Sequence, residues 1–287
     1  MQRPETLAHA LLLLTALIWG LAFTAQRAGM ESMGPLTFNG IRFLLGAMAL
    51  LPVPWFLGHR FLPPRWMLRR GIVLGILLFL GAWLQQLGIC WTTAGKAGFI
   101  TGLYVLLVPV LGYPIGLRAG LGTWGGACLA VVGLYLLSAT HDFTMGRGDL
   151  LVLLSAIFWA LHVLAVGRFS AGTRSGEAVA LAIIQFFICG LLSLGGALIT
   201  ETIQVQGMVH GLIPILYGGL CSVGIAYTLQ VVAQRHARPA PAAIILSLEA
   251  VFAAVGGFVL LGETMTLRAM LGCGLMLAGT VWAQLRP

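Results

Sequence analysis

Apolar residues run along this chain in ten stretches of about twenty, near 7–28, 34–57, 71–91, 96–116, 120–138, 148–168, 176–199, 211–233, 239–261 and 265–285. About twenty apolar residues is the length a helix needs to cross ~30 Å of hydrocarbon, so the pattern predicts ten transmembrane helices. The breaks are short and built from charge, glycine or proline: Gly29 to Pro35, Pro63-Pro64, Thr92 to Lys96, Arg118 to Gly120, Asp142 to Gly148, Arg174 to Gly176, Glu201 to Gly211, Arg235 to Pro239, and Gly262 to Thr264. The ninth stretch carries a carboxylate near its start, Glu249. An ionisable group at membrane depth is tolerated where it faces a bundle interior or water, so Glu249 is expected to point into protein.

Composition agrees with a chain that lives in lipid. Apolar residues make up 59%, charged residues 8%, and the mean hydropathy is +0.99, which leaves no soluble domain to spare. Glycine, 39 of 287 residues, is about twice its usual share, as expected where small residues let helices approach closely in lipid. Cys90, Cys128, Cys189, Cys221 and Cys273 lie in or beside apolar segments with no CxxC spacing and no histidine partner, so they read as buried thiols; no metal or cofactor is expected. The net charge of +8 is spread over short loops, which makes it a topology signal and not a nucleic-acid footprint.

Ten crossings put both termini on one side. That side collects Arg3, Arg60, Arg65, Arg69, Arg70, Arg118, Arg168, Arg174, Arg235, Arg238 and Arg286, against Arg27, Lys96, Arg147 and Arg268 opposite. The positive-inside rule therefore predicts cytoplasmic termini. The first apolar run, Leu7 to Ala25, has no early basic cluster and reads as an uncleaved helix.

The two halves share a pattern. Thr15, Trp19 and Gly20 fall on Ser155, Trp159 and Ala160; Trp83 and Gln86 on Tyr227 and Gln230; Gly126 and Gly133 on Gly272 and Gly279, with offsets of 140, 144 and 146. The division predicted is 1–140 and 141–287, five helices each. An odd number of crossings makes the second copy enter from the opposite face, so the fold class expected is an all-α membrane protein with two inverted-topology repeats around a central cavity.

Helical spacing then chooses the inward faces. The first helix offers Thr15, Trp19, Phe23 and Gln26, and the sixth Ser155, Trp159, His162 and Val166. The third offers Trp83 and Gln86, the eighth Tyr227, Gln230 and Gln234, the fourth Thr101 and Tyr104, and the ninth Ser247 and Glu249. The candidate substrate-binding set is Trp19, Phe23, Trp83, Gln86, Thr101, Tyr104, Trp159, His162, Tyr227 and Gln230, with Glu249 structural or coupling. The competing reading is packing: intramembrane amides and hydroxyls also tie helices together at roughly 0.6 kcal/mol each. His162 reads first as a neutral, hydrogen-bonded structural residue and second as a proton carrier. Lys96 reads as an interface snorkeller, Arg42 as a structural charge paired to a neighbouring helix, and the Gly122, Gly126, Ala130 row as intramolecular packing ahead of a dimer face.

Several of these segments are similar to a known family. "IWGLAFTAQR" resembles its Trp-Gly-x-x-Phe-x-x-x-Arg pattern at Trp19, Gly20, Phe23 and Arg27, and Arg42 matches its second-helix arginine. "TTAGKAGFI" followed by Pro109, "GDLLVLLSAIFWALHV" and "LSLEAVFAAVGGFVLLGE" are similar to its fourth, sixth and ninth helices. The chain thus resembles the drug/metabolite transporter superfamily, EamA type, over essentially its whole length. The resemblance implies that Glu249 and Glu263 are mainly architectural, Glu263 at the water-facing end of its helix, with Ala250 in place of the family's proline and Arg118 near a place where the family often has Gly-Glu. At finer grain it resembles the superfamily's bacterial exporters of aromatic amino acids. That implies a multi-pass protein of the bacterial inner (plasma) membrane, working as a monomer or weak homodimer on a small aromatic or large neutral amino acid. The rings of Trp19, Phe23, Trp83, Tyr104, Trp159 and Tyr227 would stack on such a cargo.

Two other classes are weighed against this one. Proton-coupled export of lipophilic cations needs a membrane-embedded acid; Glu5 precedes the first span, so Glu249 or His162 would have to serve. A membrane transferase needs an acid cluster or a His-Asp/Glu constellation, and its only candidate, His141-Asp142 with Asp149, is loop-like. The expectation is a transporter and not an enzyme.

Overall fold

The computed structural model describes residues 3–57, 63–138, 145–261 and 265–285. Arg60, His141, Asp142, Glu263 and Arg286 lie outside the described residues. The first half runs α1 (Arg3–Gly29), α2 (Pro35–Leu50), a short α3 (Val53–Phe56), α4 (Arg65–Ile89), α5 (Ala94–Gly102), α6 (Tyr104–Gly112) and α7 (Leu121–Ser138). The second runs α8 (Arg147–Ser170), α9 (Ser175–Thr200), α10 (Val205–His210), α11 (Leu212–Leu216), a π-helical segment (Tyr217–Tyr227), α12 (Thr228–Ala233), α13 (Pro239–Leu246), α14 (Glu249–Leu261) and α15 (Leu267–Leu285). No strand occurs among the described residues. Eight helical stretches there are long and apolar enough to cross a membrane, and Leu121–Leu137 is a shorter apolar helix.

Local sequence sets the ends. The α2 helix starts at Pro35, whose missing N–H costs nothing in a first turn. Its free amides are met from across the fold by Glu201, which accepts from Leu36 N and Thr37 N at 2.8 Å each and from Thr37 Oγ1 at 2.7 Å. A carboxylate at a helix N-terminus also suits the helix dipole. At the start of α8, Asp149 accepts from Gly146 N at 2.9 Å and from the Thr92 hydroxyl, and pairs with Lys96 Nζ at 3.4 Å. Lys96, expected to snorkel, is thereby tied to the other half.

The α7 and α15 helices pack on each other through glycine. A Cβ placed on Gly126 or Gly279 would come within 2.5 or 2.6 Å of the other's carbonyl oxygen, and one on Gly133 or Gly272 within 2.6 Å of its opposite. The pairs cross over: the earlier glycine of one helix meets the later glycine of the other, so the helices are antiparallel and each patch is the other's complement. The Gly122–Gly126–Ala130 row accordingly faces α15 at Gly126, the intramolecular packing its spacing predicts. Likewise α5 lies on α14 and α6 on α13.

The chain is nicked where α5 gives way to α6 and where α13 gives way to α14. Leu103, between α5 and α6, has φ −62° and ψ −15°; Ser247, between α13 and α14, has φ −61° and ψ −15°. At each nick the chain tightens to i→i+3 bonds: Leu103 N to Ile100 O and Leu106 N to Leu103 O, then Leu248 N to Ile245 O and Ala250 N to Ser247 O. An irregular backbone therefore forms beside Ala250 without the proline that the resemblance tied to it.

A central cavity and the residues around it

The innermost helices, α1, α2, α4, α8, the π segment, α12 and the two nicked pairs, leave a small cavity of about 40 Å³ between them. That holds water and is smaller than the roughly 300–1,000 Å³ of a metabolite site. Trp19, Phe23 and Gln26 of α1 line it with Thr101 and Tyr104 at the first nick and Glu249 at the second. Arg42 of α2, Gln85 of α4, Trp159 and Val163 of α8, Ser222 and Tyr227 of the π segment, and Gln230 of α12 close it.

Tyr227 is the hub of the aromatic wall. Its ring centroid lies 4.5 Å from that of Trp19, 6.1 Å from Trp159, 5.9 Å from Phe43 and 6.0 Å from Phe186. These are stacked and tilted contacts at distances where ring quadrupoles attract. Trp19 Nε1 donates to Ser222 O at 3.3 Å, Thr15 Oγ1 to Ala226 O at 3.2 Å, and Tyr217 OH donates to Ile18 O at 2.8 Å. Two donors on α1 thus tie that helix to carbonyls of the π segment, and one π-segment hydroxyl ties back to α1.

The polar lining is not fully used. Gln85 Nε2 donates to Thr101 Oγ1 at 2.8 Å. Gln26 Oε1, Tyr104 OH, Trp159 Nε1, Gln230 Oε1 and Glu249 Oε1 are buried without a hydrogen-bond partner among the described residues. Buried polar atoms are nearly always paired, so five unpaired ones around one small cavity mark a place that awaits polar company.

Of the residues the sequence nominates, Trp19, Phe23, Thr101, Tyr104, Trp159, Tyr227, Gln230 and Glu249 come together here. Three do not. Trp83 is half-buried and stacks on Phe79, 5.7 Å away and nearly parallel at 12°. Gln86 is fully buried between α4 and α1, donating to Gln26 O at 3.1 Å, and Gln85 takes the cavity position one residue earlier. Successive helical positions differ by about 100° in direction, and α4 is α-helical throughout, so with Gln85 on the cavity Gln86 is turned away from it. His162 stands behind the wall, Nε2 at 2.8 Å from Gln185 Oε1 and its ring edge-on to Trp159 and Tyr227. Its Nδ1 is buried without a hydrogen-bond partner among the described residues.

Arg42 corrects the expectation in the other direction. Among the described residues no carboxylate stands within 4.0 Å of it, and it lines the cavity instead of pairing with a neighbouring helix. A lone charge in mid-span was the signal in the sequence that could have placed it there. Gln85, Val163 and Ser222 carried no comparable signal.

Similarity to known proteins agrees with this architecture. The profile of the EamA-like transporter family matches residues 6–139 and again 146–284. An "uncharacterized transporter" of Archaeoglobus fulgidus is 32% identical over 96% of this chain and 85% of its own length. The "uncharacterized inner membrane transporter YedA" of Escherichia coli K12 is 23% identical over 92% of this chain and 86% of its own. A "probable amino-acid metabolite efflux pump" of Salmonella typhimurium is 25% identical over 94% and 92%. A solved crystal structure superimposes with a TM-score of 0.79 at 18% identity, covering 97% of this chain and 98% of that one, which speaks for the fold alone. An all-helical chain with eight membrane-length stretches and two successive matches to one transporter profile belongs to the EamA-like transporter family.

Proposed function

We propose that this chain exports aromatic or large neutral amino acids across the bacterial plasma membrane by alternating access. In this reading, ten helices form two inverted five-helix repeats, 1–140 and 141–287, with cytoplasmic termini and the cargo held where the repeats meet. The observation that carries it is the cavity, where the aromatic wall of Trp19, Trp159 and Tyr227 faces unpaired polar atoms on Tyr104, Gln230 and Glu249. Rings suit the cargo's side chain, and donors and acceptors suit its charged ends. Further support comes from the cross-paired glycines of α7 and α15 and from matching nicks at Leu103 and Ser247. Such crossed, antiparallel contacts are what a two-fold axis in the membrane plane demands. The name of the Salmonella relative, "probable amino-acid metabolite efflux pump", fits the broader, amino-acid part of this reading.

Alternating access means one repeat rocks against the other, opening the cavity to each side in turn. The nicked helices are the natural hinges, because they already lack regular bonding at cavity depth. Each chain holds a whole cavity, so a monomer suffices and a weak homodimer would add nothing to the site.

Purified protein tested by thermal stabilisation across amino acids, nucleotide sugars and quaternary amines decides the matter. Stabilisation by phenylalanine and tryptophan, with efflux of the same compounds from loaded vesicles, is the expected outcome. Stabilisation by quaternary amines alone would reject it in favour of cation export, for which Glu249 at the cavity is the one supporting feature.

A further inference from the structure

Arg42 is 2% exposed, in the middle of α2, and its surroundings hold it on one edge only. Nε donates to Asn39 Oδ1 at 2.9 Å, and Asn39 is itself anchored by Nδ2 to Ala82 O at 3.0 Å. The guanidinium carbon sits 5.2 Å from the Phe38 ring centroid and 4.9 Å from that of Phe43. The two Nη groups make no hydrogen bond to any described residue, and the side chain lines the central cavity.

A guanidinium is charged at any physiological pH, and a buried charge without a counterion is strongly unfavourable. Two flanking rings offset part of that cost, but they cannot replace an anion. The arrangement fits a group kept for a visiting ligand: Asn39 fixes its orientation by Nε, the rings prevent it from folding away, and the Nη pair remains as a planar fork. That fork matches a carboxylate. The unpaired acceptors Glu249 Oε1, Gln26 Oε1 and Gln230 Oε1 come from other helices around the same cavity and suit an ammonium group.

Resting on the transport reading above, we propose that Arg42 is the specificity-determining residue that selects cargo with a free carboxylate, its Nη groups donating to that carboxylate while Glu249, Gln26 and Gln230 face the cargo's ammonium end. Arg42 then supplies a fixed countercharge to the cargo's carboxylate, and a cargo that is only cationic meets an unpaired positive charge on entry.

The test compares free acids with their amides on two scaffolds: phenylalanine with phenylalaninamide, and leucine with leucinamide, binding being measured on the full-length protein in nanodiscs. Wild type should bind the free acid of the better scaffold at least about tenfold more tightly than its amide, the loss expected when a charge-assisted pair is removed. Arg42→Gln should shrink that ratio to within about twofold, and Arg42→Lys, which keeps the charge without the fork, should fall between. Equal binding of acid and amide by wild type, or an unchanged ratio in the variants, overturns the proposal. If Arg42→Gln does not fold, the wild-type ratio and Arg42→Lys decide. Acid preference confined to leucine would sink the aromatic reading and leave Arg42 standing. Binding of amines with no free acid bound would sink both.

Discussion

The α7–α15 seam and the wall around Tyr227 are both places where the halves of the chain meet, and they are built on opposite principles. At the seam, glycine faces glycine, the contacts repeat across an exchange of the halves, and backbone carbonyls sit where no side chain fits. At the wall the halves are unequal. One side is a regular α1, the other an eleven-residue π segment to whose carbonyls Thr15 and Trp19 of α1 donate. Close packing in lipid rewards symmetry, because the same small residues solve the same problem twice. A transport site gains from asymmetry, because an irregular backbone can present carbonyls, rings and amides that a regular helix keeps to itself.

Enlarging a seam glycine is the most damaging way to probe this contrast. Gly133→Leu would drive a side chain into the Gly272 carbonyl and the Met276 side chain, both about 2.6 Å from where its Cβ would lie. The expected loss exceeds about 3 kcal/mol, the upper end for overpacking, because backbone and not a flexible tip must yield. Fluorescence-monitored thermal unfolding in detergent should show little folded protein. A stable Gly133→Leu protein would mean the seam is not a rigid contact.

Next in size is the hub. Tyr227→Ala removes a ring that touches Trp19, Phe43, Trp159 and Phe186, at an expected cost of about 3 kcal/mol in stability and at least about tenfold in transport. Tyr227→Phe keeps all four contacts and should stay within about twofold of wild type in both. If the two variants behave alike, the ring contacts are not what the wall depends on. Glu249→Gln is milder in volume and asks about coupling: on the amino-acid reading, uptake into liposomes keeps its dependence on pH. A flattened pH profile in that variant would make Glu249 a proton carrier and favour cation export.

What could be read in the sequence follows the same division. Eight of the ten predicted spans and the glycine pairs at 126, 133, 272 and 279 were legible because hydropathy and small-residue spacing depend on local length alone. Eight of the eleven nominated residues meet at the cavity, because i, i+4 spacing within one helix is enough to choose a face. The nick at Ser247 was hidden, since Ala250 offers no proline to announce it. Arg42 was visible as a charge, but its freedom from any carboxylate depends on what α4, α9 and the π segment bring near it, which no local pattern encodes.

The smallest effect is the most diagnostic, because it separates two adjacent glutamines. In α4, Gln85 faces the cavity and donates to Thr101, whereas Gln86 points to α1 and donates to Gln26 O. Successive helical residues differ by about 100° in direction, so only one of them can face cargo. Gln85→Leu should weaken cargo binding about tenfold, as a polar group is lost from the lining, and lower stability by about 1 kcal/mol through the lost bond to Thr101. Gln86→Leu should leave binding intact and lower stability by about 1 kcal/mol, the scale of an interhelical hydrogen bond in lipid. Binding isotherms and melting curves on the pair of variants read these two outcomes separately. If the effects on binding are exchanged, the cavity face of α4 runs through Gln86, the face a constant offset from Tyr227 and Gln230 implies.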